Sequence, residues 1–374
     1  MRIFVSEYVC GGGWPEPVIA GSLAIEGRAM LTALLVDLAM VPGVTVGSTW
    51  DARLGSPFVG SPRAIERVQF HIAHSTADER LLFDKLARAA DATWVIAPEF
   101  DDILETRCRI VEGLGKPLAG PGSDAVALCG DKLALAKRFV ERGIPTIPTR
   151  PFEWARQDPN ETRFVDAVSV GITRFPIVVK PRFGAGSQST FLIANEGQLR
   201  DLSQRWAQEP MLESAIWQPF LAGTPVSVAV VCDGERDGYE PLPVARQCLS
   251  SDGRFQYLGG SLPLTGELAA SVQETAVAAC RAVGGLKGYV GVDLLADAAS
   301  ASVAVVEINP RLTTSYLGYR RLVDAEPATI IGTPDLATSG GWRLAQRILG
   351  YEPVASPLRW QNESITFGAN GEIV

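Results

Sequence analysis

Apolar and polar positions recur along this chain in two rhythms, and the change of rhythm divides it. Arg2-Ile3-Phe4-Val5 is a short apolar run that predicts a first strand. Ala20 to Met40 follows as a long amphipathic helix, and Val44-Thr45-Val46 as the next strand. Thr76 to Ala90 carries Leu81, Leu82, Leu86 and Ala89 at helical spacing, and Thr93 to Ala97 reads as a strand. A helix over Asp102 to Gly113 comes next. Strands alternating with helices predict a parallel sheet covered on both faces over roughly residues 1–120. Ser123 to Gly143 reads as helical with a break near Gly130, ending at the stop signal Gly143-Ile144-Pro145. Arg156 to Asn160 is polar and predicted to be exposed.

From Phe175 the pattern turns to apolar strands separated by glycine-rich turns. One helix interrupts it at Glu196 to Ala207, and another runs from Glu267 to Val283. Tyr289 to Leu295 and Ser302 to Ile308 form a predicted hairpin around the small-residue loop Asp297 to Ala301. After Thr314 a helix near Trp342 to Leu349 and a final strand, Ser364 to Phe367, are expected. No internal repeat or low-complexity tract is visible.

The length of 374 residues suits two or three domains or lobes. Lys and Arg number 34 against 42 Asp and Glu, a net charge of −8 that disfavours non-specific nucleic-acid binding. Cys10, Cys108, Cys129, Cys232, Cys248 and Cys280 are scattered without a C-x-x-C pair, which argues for reduced, mostly buried thiols in a cytoplasm rather than zinc or disulfides. Met1 to Val9 contains Glu7 and no long apolar core, so no signal peptide is expected. Ala29 to Val41 contains Asp37 and ends at Pro42, so it reads as a core helix and not a membrane span.

The hairpin carries the strongest chemical signal. Asp293, Glu307 and Asn309 are oxygen ligands on two adjacent strands, and Glu307 and Asn309, two apart, share a face. Such a set suits Mg²⁺ completed by phosphate oxygens; ordinary edge charges are the plain alternative. Upstream, Pro176-Ile177-Val178-Val179-Lys180-Pro181 delivers a lysine at a strand end. The loop Phe183-Gly184-Ala185-Gly186-Ser187-Gln188-Ser189-Thr190 follows, and Phe191-Leu192-Ile193 returns. Small residues let backbone N–H groups approach phosphate, and Lys180 adds a point charge. The alternative is a glycine-rich hairpin with a chance lysine. Lys132, in the opening turn of the helix Leu133 to Arg142, reads either as a second phosphate-directed cation or as a solvated lysine. Trp217-Gln218-Pro219-Phe220-Leu221-Ala222-Gly223 ends a strand and turns, as a linker against which a nucleotide base can lie, or as a plain domain connection. His71 and His74, three apart, read as a partly exposed pair rather than a metal site.

Taken in order, Lys132, Lys180 with its glycine loop, the Gln218 linker, Asp293, Glu307, Asn309 and Arg311 resemble the ATP-grasp superfamily of carboxylate–amine ligases, related to D-alanine–D-alanine ligase and biotin carboxylase. The resemblance covers roughly residues 120–320. It implies an N-terminal pre-ATP-grasp parallel α/β domain over 1–120, then a two-lobed α+β ATP-grasp fold. The lobes would be 121–216 and 223–320, joined by a hinge at 217–222, with a tail at 321–374 packed on the core. It also implies ATP between the lobes. Lys132, Lys180, Gly184, Ala185, Gly186 and Ser187 would meet the phosphates, and Gln218, Pro219, Phe220 and Leu221 the adenine. Mg²⁺, with Mn²⁺ as a substitute, would sit on Asp293, Glu307 and Asn309. Lys180 and Arg311 would be the catalytic residues, Arg311 stabilising the transferring phosphate and the oxyanion; an Arg pairing with a neighbouring carboxylate is its structural alternative. The implied activity joins a small-molecule carboxylate to an amine through an acylphosphate in the cytoplasm, without nucleic acid or membrane, and is compatible with a homodimer.

One departure stands out. Many members carry a glutamate for the ribose shortly after the hinge, and here the chain reads Gly223-Thr224-Pro225-Val226-Ser227, leaving Ser227 as the candidate. Phe4-Val5-Ser6-Glu7-Tyr8-Val9-Cys10-Gly11-Gly12-Gly13, with Val306-Glu307-Ile308-Asn309-Pro310-Arg311-Leu312-Thr313-Thr314-Ser315-Tyr316, resembles the tyramine–glutamate ligase group of methanofuran biosynthesis, which implies glutamate and tyramine or a related amine. Glu7, Tyr8 and the Gly11–Gly13 turn are candidates for the acceptor pocket. Two rivals remain in view. A non-catalytic ATP-binding protein on the same fold has less need of the full metal set. A nicotinamide-dependent oxidoreductase is disfavoured because Trp14-Pro15-Glu16-Pro17 follows the glycines and no G-x-G-x-x-G opens a helix.

Overall fold

The computed structural model describes residues 1–19, 21–57, 67–152, 171–205, 208–234, 238–324, 340–350 and 358–373. The polar stretch Arg156 to Asn160, residue 20 of the first predicted helix, and 206–207 of the helix predicted to end at Ala207 lie outside the described residues.

The N-terminal unit is an α/β layer. Its elements are β1 (Arg2–Glu7), α1 (Ser22–Met40), β2 (Thr45–Asp51), β3 (Val68–Ala73), α2 (Thr76–Ala89), β4 (Ala92–Ile96) and α3 (Ile103–Gly113). All four strands are parallel, in the order β3-β2-β1-β4. Ile3 and Val5 face the leucines of α1, while Phe4 faces Phe83 of α2 and Leu104 of α3. Helices on both faces explain why five consecutive residues of β1 are buried. The sequence pattern missed β3. It is an edge strand whose Gln69, Phe70, His71 and Ile72 remain partly or fully exposed, so its apolar signal is diluted. After β1 the chain tightens into a π-helical turn at Val9–Gly13. Gly12 sits there at φ +104°, and a Cβ would lie 2.8 Å from the Ala73 methyl, so only glycine fits.

The predicted break near Gly130 separates α4 (Ser123–Gly130) from α5 (Lys132–Glu141). Asp131 caps the second helix, accepting from the Leu133 and Ala134 N–H groups at 3.1 and 3.0 Å. A first antiparallel sheet contains β5 (Arg150–Phe152), β6 (Ile177–Pro181), β7 (Phe191–Ile193) and β8 (Ala215–Pro219), in the order β5-β8-β6-β7. Helix α6 (Glu196–Arg205) packs Leu199 and Leu202 beneath it.

The second antiparallel sheet holds β9 (Thr224–Asp233), β10 (Tyr239–Pro241), β11 (Ala245–Leu249), β12 (Tyr257–Leu262), β13 (Lys287–Asp297), β14 (Ser302–Asn309) and β15 (Ile365–Gly368). Its main path is β14-β13-β9-β11-β12-β15. Helix α7 (Glu267–Val283) covers one face with Val272, Ala276 and Cys280. Helices α8 (Ser315–Leu322) and α9 (Gly341–Leu349) cover the other and share a core with α1. A polar clip joins this sheet to the N-terminal unit. Buried Asp37 of α1 accepts from Tyr316 Oη at 2.7 Å and from Arg320 Nε and Nη2 at 2.8 and 2.7 Å. The first turns of α1 are thereby held over the gap between the two antiparallel sheets.

Candidate active site

That gap is a cavity of about 410 Å³. It is walled by the first sheet on one side, the β13–β14 hairpin on the other, and α1 at one end.

Strand β6 ends by aiming Lys180 into the cavity, and the loop from Gly184 to Ser187 folds over it. Gly186 and Ser187 take left-handed φ values of +63° and +58°, which bends the loop inward. Lys132 is not the solvated lysine that its place in a first helical turn suggests. It is largely buried, donates to the Gly184 carbonyl at 2.7 Å, and stands 3.4 Å from Glu307 Oε2. Burial pulls the Lys180 ammonium down to about 8; Glu307 opposes that drop and Lys132 adds to it. Two ammonium groups beside a backbone loop give this wall the chemistry to bind an anion.

The opposite wall is the hairpin. Register pairs Asp293 with Glu307 and Gly291 with Asn309, so all three side chains reach one patch. Asp293 accepts from Gln247 Nε2 at 2.9 Å and from Asn309 Nδ2 at 3.0 Å. The Asn309 amide is thus turned with its oxygen left for a ligand. Burial, then the charge of Glu307, pushes the Asp293 carboxyl up to about 7. Glu307 is held below the usual range: burial works against its charge, but Lys132 and Lys180 outweigh it. Among the described residues no three His, Cys, Asp or Glu side chains cluster in a way that could hold a metal ion. A cation placed here would meet two carboxylates and one amide, and would need further oxygens from a ligand. That donor set fits Mg²⁺ carried by a polyphosphate.

Gln218, Pro219, Phe220 and Leu221 line the far end. Gln218 is buried and donates to Thr149 Oγ1 at 2.8 Å, while Phe220 stacks on Phe255 at 6.4 Å between centroids. The β11–β12 turn that carries Phe255 also touches β7, where Leu192 N–H donates to the Gly253 carbonyl at 2.9 Å. The sequence reading did not anticipate this turn. Ser227 is buried against Ser315 Oγ at 3.1 Å and does not line the cavity, which removes it as the ribose candidate.

Arg311 lines the cavity and also has the structural partner named as its alternative. Its Nη2 donates to Glu99 Oε2 at 3.1 Å, and its Nε lies 2.9 Å from Glu99 Oε1, off the hydrogen-bond line. Glu99, from just after β4, was not legible as a site residue because it sits 212 positions away. Three candidates from the N-terminal unit stay outside. Glu7, Tyr8 and the Gly11–Gly13 turn form no part of the cavity, because the Glu7 carboxylate turns back to the Cys10 N–H. Among the described residues, the N-terminal one that does enter is Glu26 of α1. His71 and His74 lie on and just after β3, partly exposed and remote from this gap.

Comparison with known proteins gives the same architecture. The family model described as ATP-grasp domain matches residues 129–315, half of the chain, and the pre ATP-grasp 3 domain model matches 44–126. The tyramine–L-glutamate ligase of Methanocaldococcus jannaschii is 24% identical, over 62% of this chain and 58% of that protein. The tyramine–L-glutamate ligase of Methanocaldococcus fervens is 22% identical, over 85% of this chain and 89% of that protein. The fold of an ADP complex of N5-carboxyaminoimidazole synthetase from Staphylococcus aureus superposes with a TM-score of 0.66 at 16% identity, covering 98% of this chain and 81% of that one. With its two antiparallel sheets closing on one cavity behind a parallel α/β unit, this chain belongs to the ATP-grasp family.

Proposed function

We propose that the protein is an ATP- and Mg²⁺-dependent ligase joining a carboxylate to an amine. The observation that carries this reading is one cavity with two lysines and a glycine loop on one wall and Asp293, Glu307 and Asn309 on the other. When bound, ATP supplies the phosphoryl group that activates a carboxylate, and Mg²⁺ screens the charge that builds up. Lys132 and Lys180 hold the phosphates, with the amides of Gly184 to Ser187 closing over them. Asp293, Glu307 and Asn309 are the groups that hold the cation. Gln218, Pro219, Phe220 and Leu221 cradle the base, with Phe255 stacked behind Phe220.

Arg311 faces the reacting end. Glu99 fixes its guanidinium, which leaves the group oriented toward the oxygens that gain charge during transfer. A carboxylate oxygen of the substrate forms a bond to the γ-phosphorus as the β–γ bridge breaks and ADP leaves. The amine nitrogen then bonds to the acyl carbon, and phosphate departs with that same carboxylate oxygen. No side chain is needed as a nucleophile, so orientation and charge neutralisation carry the rate. The free thiols, all but Cys248 buried, and the nucleotide co-substrate favour a cytoplasmic setting.

The similarity to two tyramine–L-glutamate ligases makes glutamate with tyramine the first pair to try. The test is ADP release from Mg-ATP over a matrix of carboxylic acids and amines, with mass spectrometry of the products. Turnover that needs both partners, and a product one water lighter than their sum, supports the ligase. Stoichiometric ATP binding without turnover across the matrix would favour a non-catalytic ATP-binding protein.

A further inference from the structure

Among the described residues that line the cavity, Glu26 alone comes from the N-terminal unit. It sits in the second turn of α1, whose Leu23 packs against the glycine loop, with its Cδ2 3.7 Å from where a Cβ on Gly186 would lie. The other acids of the cavity have partners. Asp293 takes Gln247 and Asn309, and Glu307 lies beside Lys132. Arg311 is committed to Glu99 and to the Leu312 carbonyl. Glu26 makes no hydrogen bond or ion pair with any described residue. Glu26, Arg311 and Tyr257 line the same cavity, and the Arg311 guanidinium and the Tyr257 phenol lie within electrostatic range of the Glu26 carboxyl. That phenol is buried near the Thr314 and Ser315 hydroxyls without a hydrogen bond of proper geometry. An acid without a partner among the described residues therefore stands in the cavity within electrostatic range of Arg311.

We propose that Glu26 is the subsite for the amine substrate: it receives the ammonium group and takes the proton that must leave before nitrogen can attack. The proposal rests on the ligase reading. The reacting carboxylate is repelled by Glu26 and drawn to Arg311, whereas the attacking nitrogen arrives at neutral pH as a cation and is drawn to Glu26. The two reacting groups are thus sorted by charge at the end where they must react. In the step itself the ammonium gives one proton to the Glu26 carboxylate, and the freed lone pair forms the C–N bond. The second nitrogen proton leaves with the phosphate as the C–O bond breaks, and Glu26 returns its proton to solvent. Burial pushes the Glu26 carboxyl up to about 7, with Arg311 opposing, which suits a group that takes and returns a proton near neutrality.

The test compares wild type with Glu26→Gln, Glu26→Asp and Glu26→Ala, using two acceptors. One is the cationic amine identified in the substrate matrix. The other is hydroxylamine, neutral at pH 7, which traps the activated carboxylate as a hydroxamate. We expect E26Q to melt like wild type and to lose kcat/KM for the cationic amine about tenfold or more beyond any loss of hydroxamate formation. E26D, which keeps the charge, should recover part of that loss. Wild-type use of the amine by E26Q and E26A would overturn the proposal. Equal loss of hydroxamate and amide would also overturn it, by placing Glu26 on the acid or the nucleotide. No hydroxamate from wild type with any carboxylate would overturn the ligase reading itself, and this proposal with it.

Discussion

Substituting Arg320 by alanine should destabilise the protein by about 3–5 kcal/mol. The figure follows from what the substitution leaves behind. Asp37 is 3% exposed and accepts from three donors, two of them on Arg320. Arg320 is itself largely buried. Removing it takes the bidentate guanidinium from a carboxylate buried in the shared core of α1, α8 and α9. A loss of this size is a large share of the ~5–15 kcal/mol that holds a typical domain together. Equilibrium urea unfolding of wild type and Arg320→Ala measures it. A double variant, Asp37→Asn with Arg320→Met, removes both charges and should regain much of the loss. If Arg320→Ala cost less than about 1 kcal/mol, the pair would behave like a solvated surface bridge, and the reasoning from burial would be refuted. The consequence reaches the cavity, because this clip sets the position of the helix that carries Glu26.

Other expectations can be checked in parallel. Lys180→Ala should lower turnover by about 10²–10³ with the fold intact, read by steady-state kinetics alongside a melting curve. Glu307→Gln should abolish the tightening of ATP binding by Mg²⁺, measured by titrating nucleotide with Mg²⁺ and with chelator. Unchanged Mg²⁺ dependence would remove the hairpin as the metal site. Burial pushes the Glu7 carboxyl up to about 7 from its ordinary 4.5, against the pull of the Cys10 N–H, so the fold prefers it protonated. Its contribution is therefore fully present below pH 4.5 and is lost as pH rises through 7, a change of about 3 kcal/mol. Glu7→Gln should flatten that part of the stability profile, seen in urea midpoints across pH 4–8.

The parts of the site legible in the sequence are those whose geometry is local. Asp293, Glu307 and Asn309 lie on one hairpin, and hairpin register alone brings them together. Lys180 and its glycine loop are one strand–loop–strand unit. Residues brought in by packing between distant elements left no local signal. Glu26 looks like any acid on a long helix, and Glu99 like any loop carboxylate, until α1 and β4 dock against the second sheet. Lys132 reads as solvated because its neighbours, Gly184 and Glu307, are 52 and 175 positions away. In the fold, β4 and the buried run of β1 were plain from their apolar residues, whereas the edge strand β3 was not, since Gln69 to Ile72 are partly or fully exposed.

The most direct test of the ligase chemistry follows one oxygen atom. A carboxylate substrate labelled with ¹⁸O in its carboxyl group, incubated with protein, Mg-ATP and amine, should pass one ¹⁸O atom to the released phosphate for each amide formed. That transfer requires the carboxylate oxygen to have been bonded to phosphorus. Phosphate free of label alongside amide product, or label found in AMP, would contradict the acylphosphate route and with it the functional reading of this cavity.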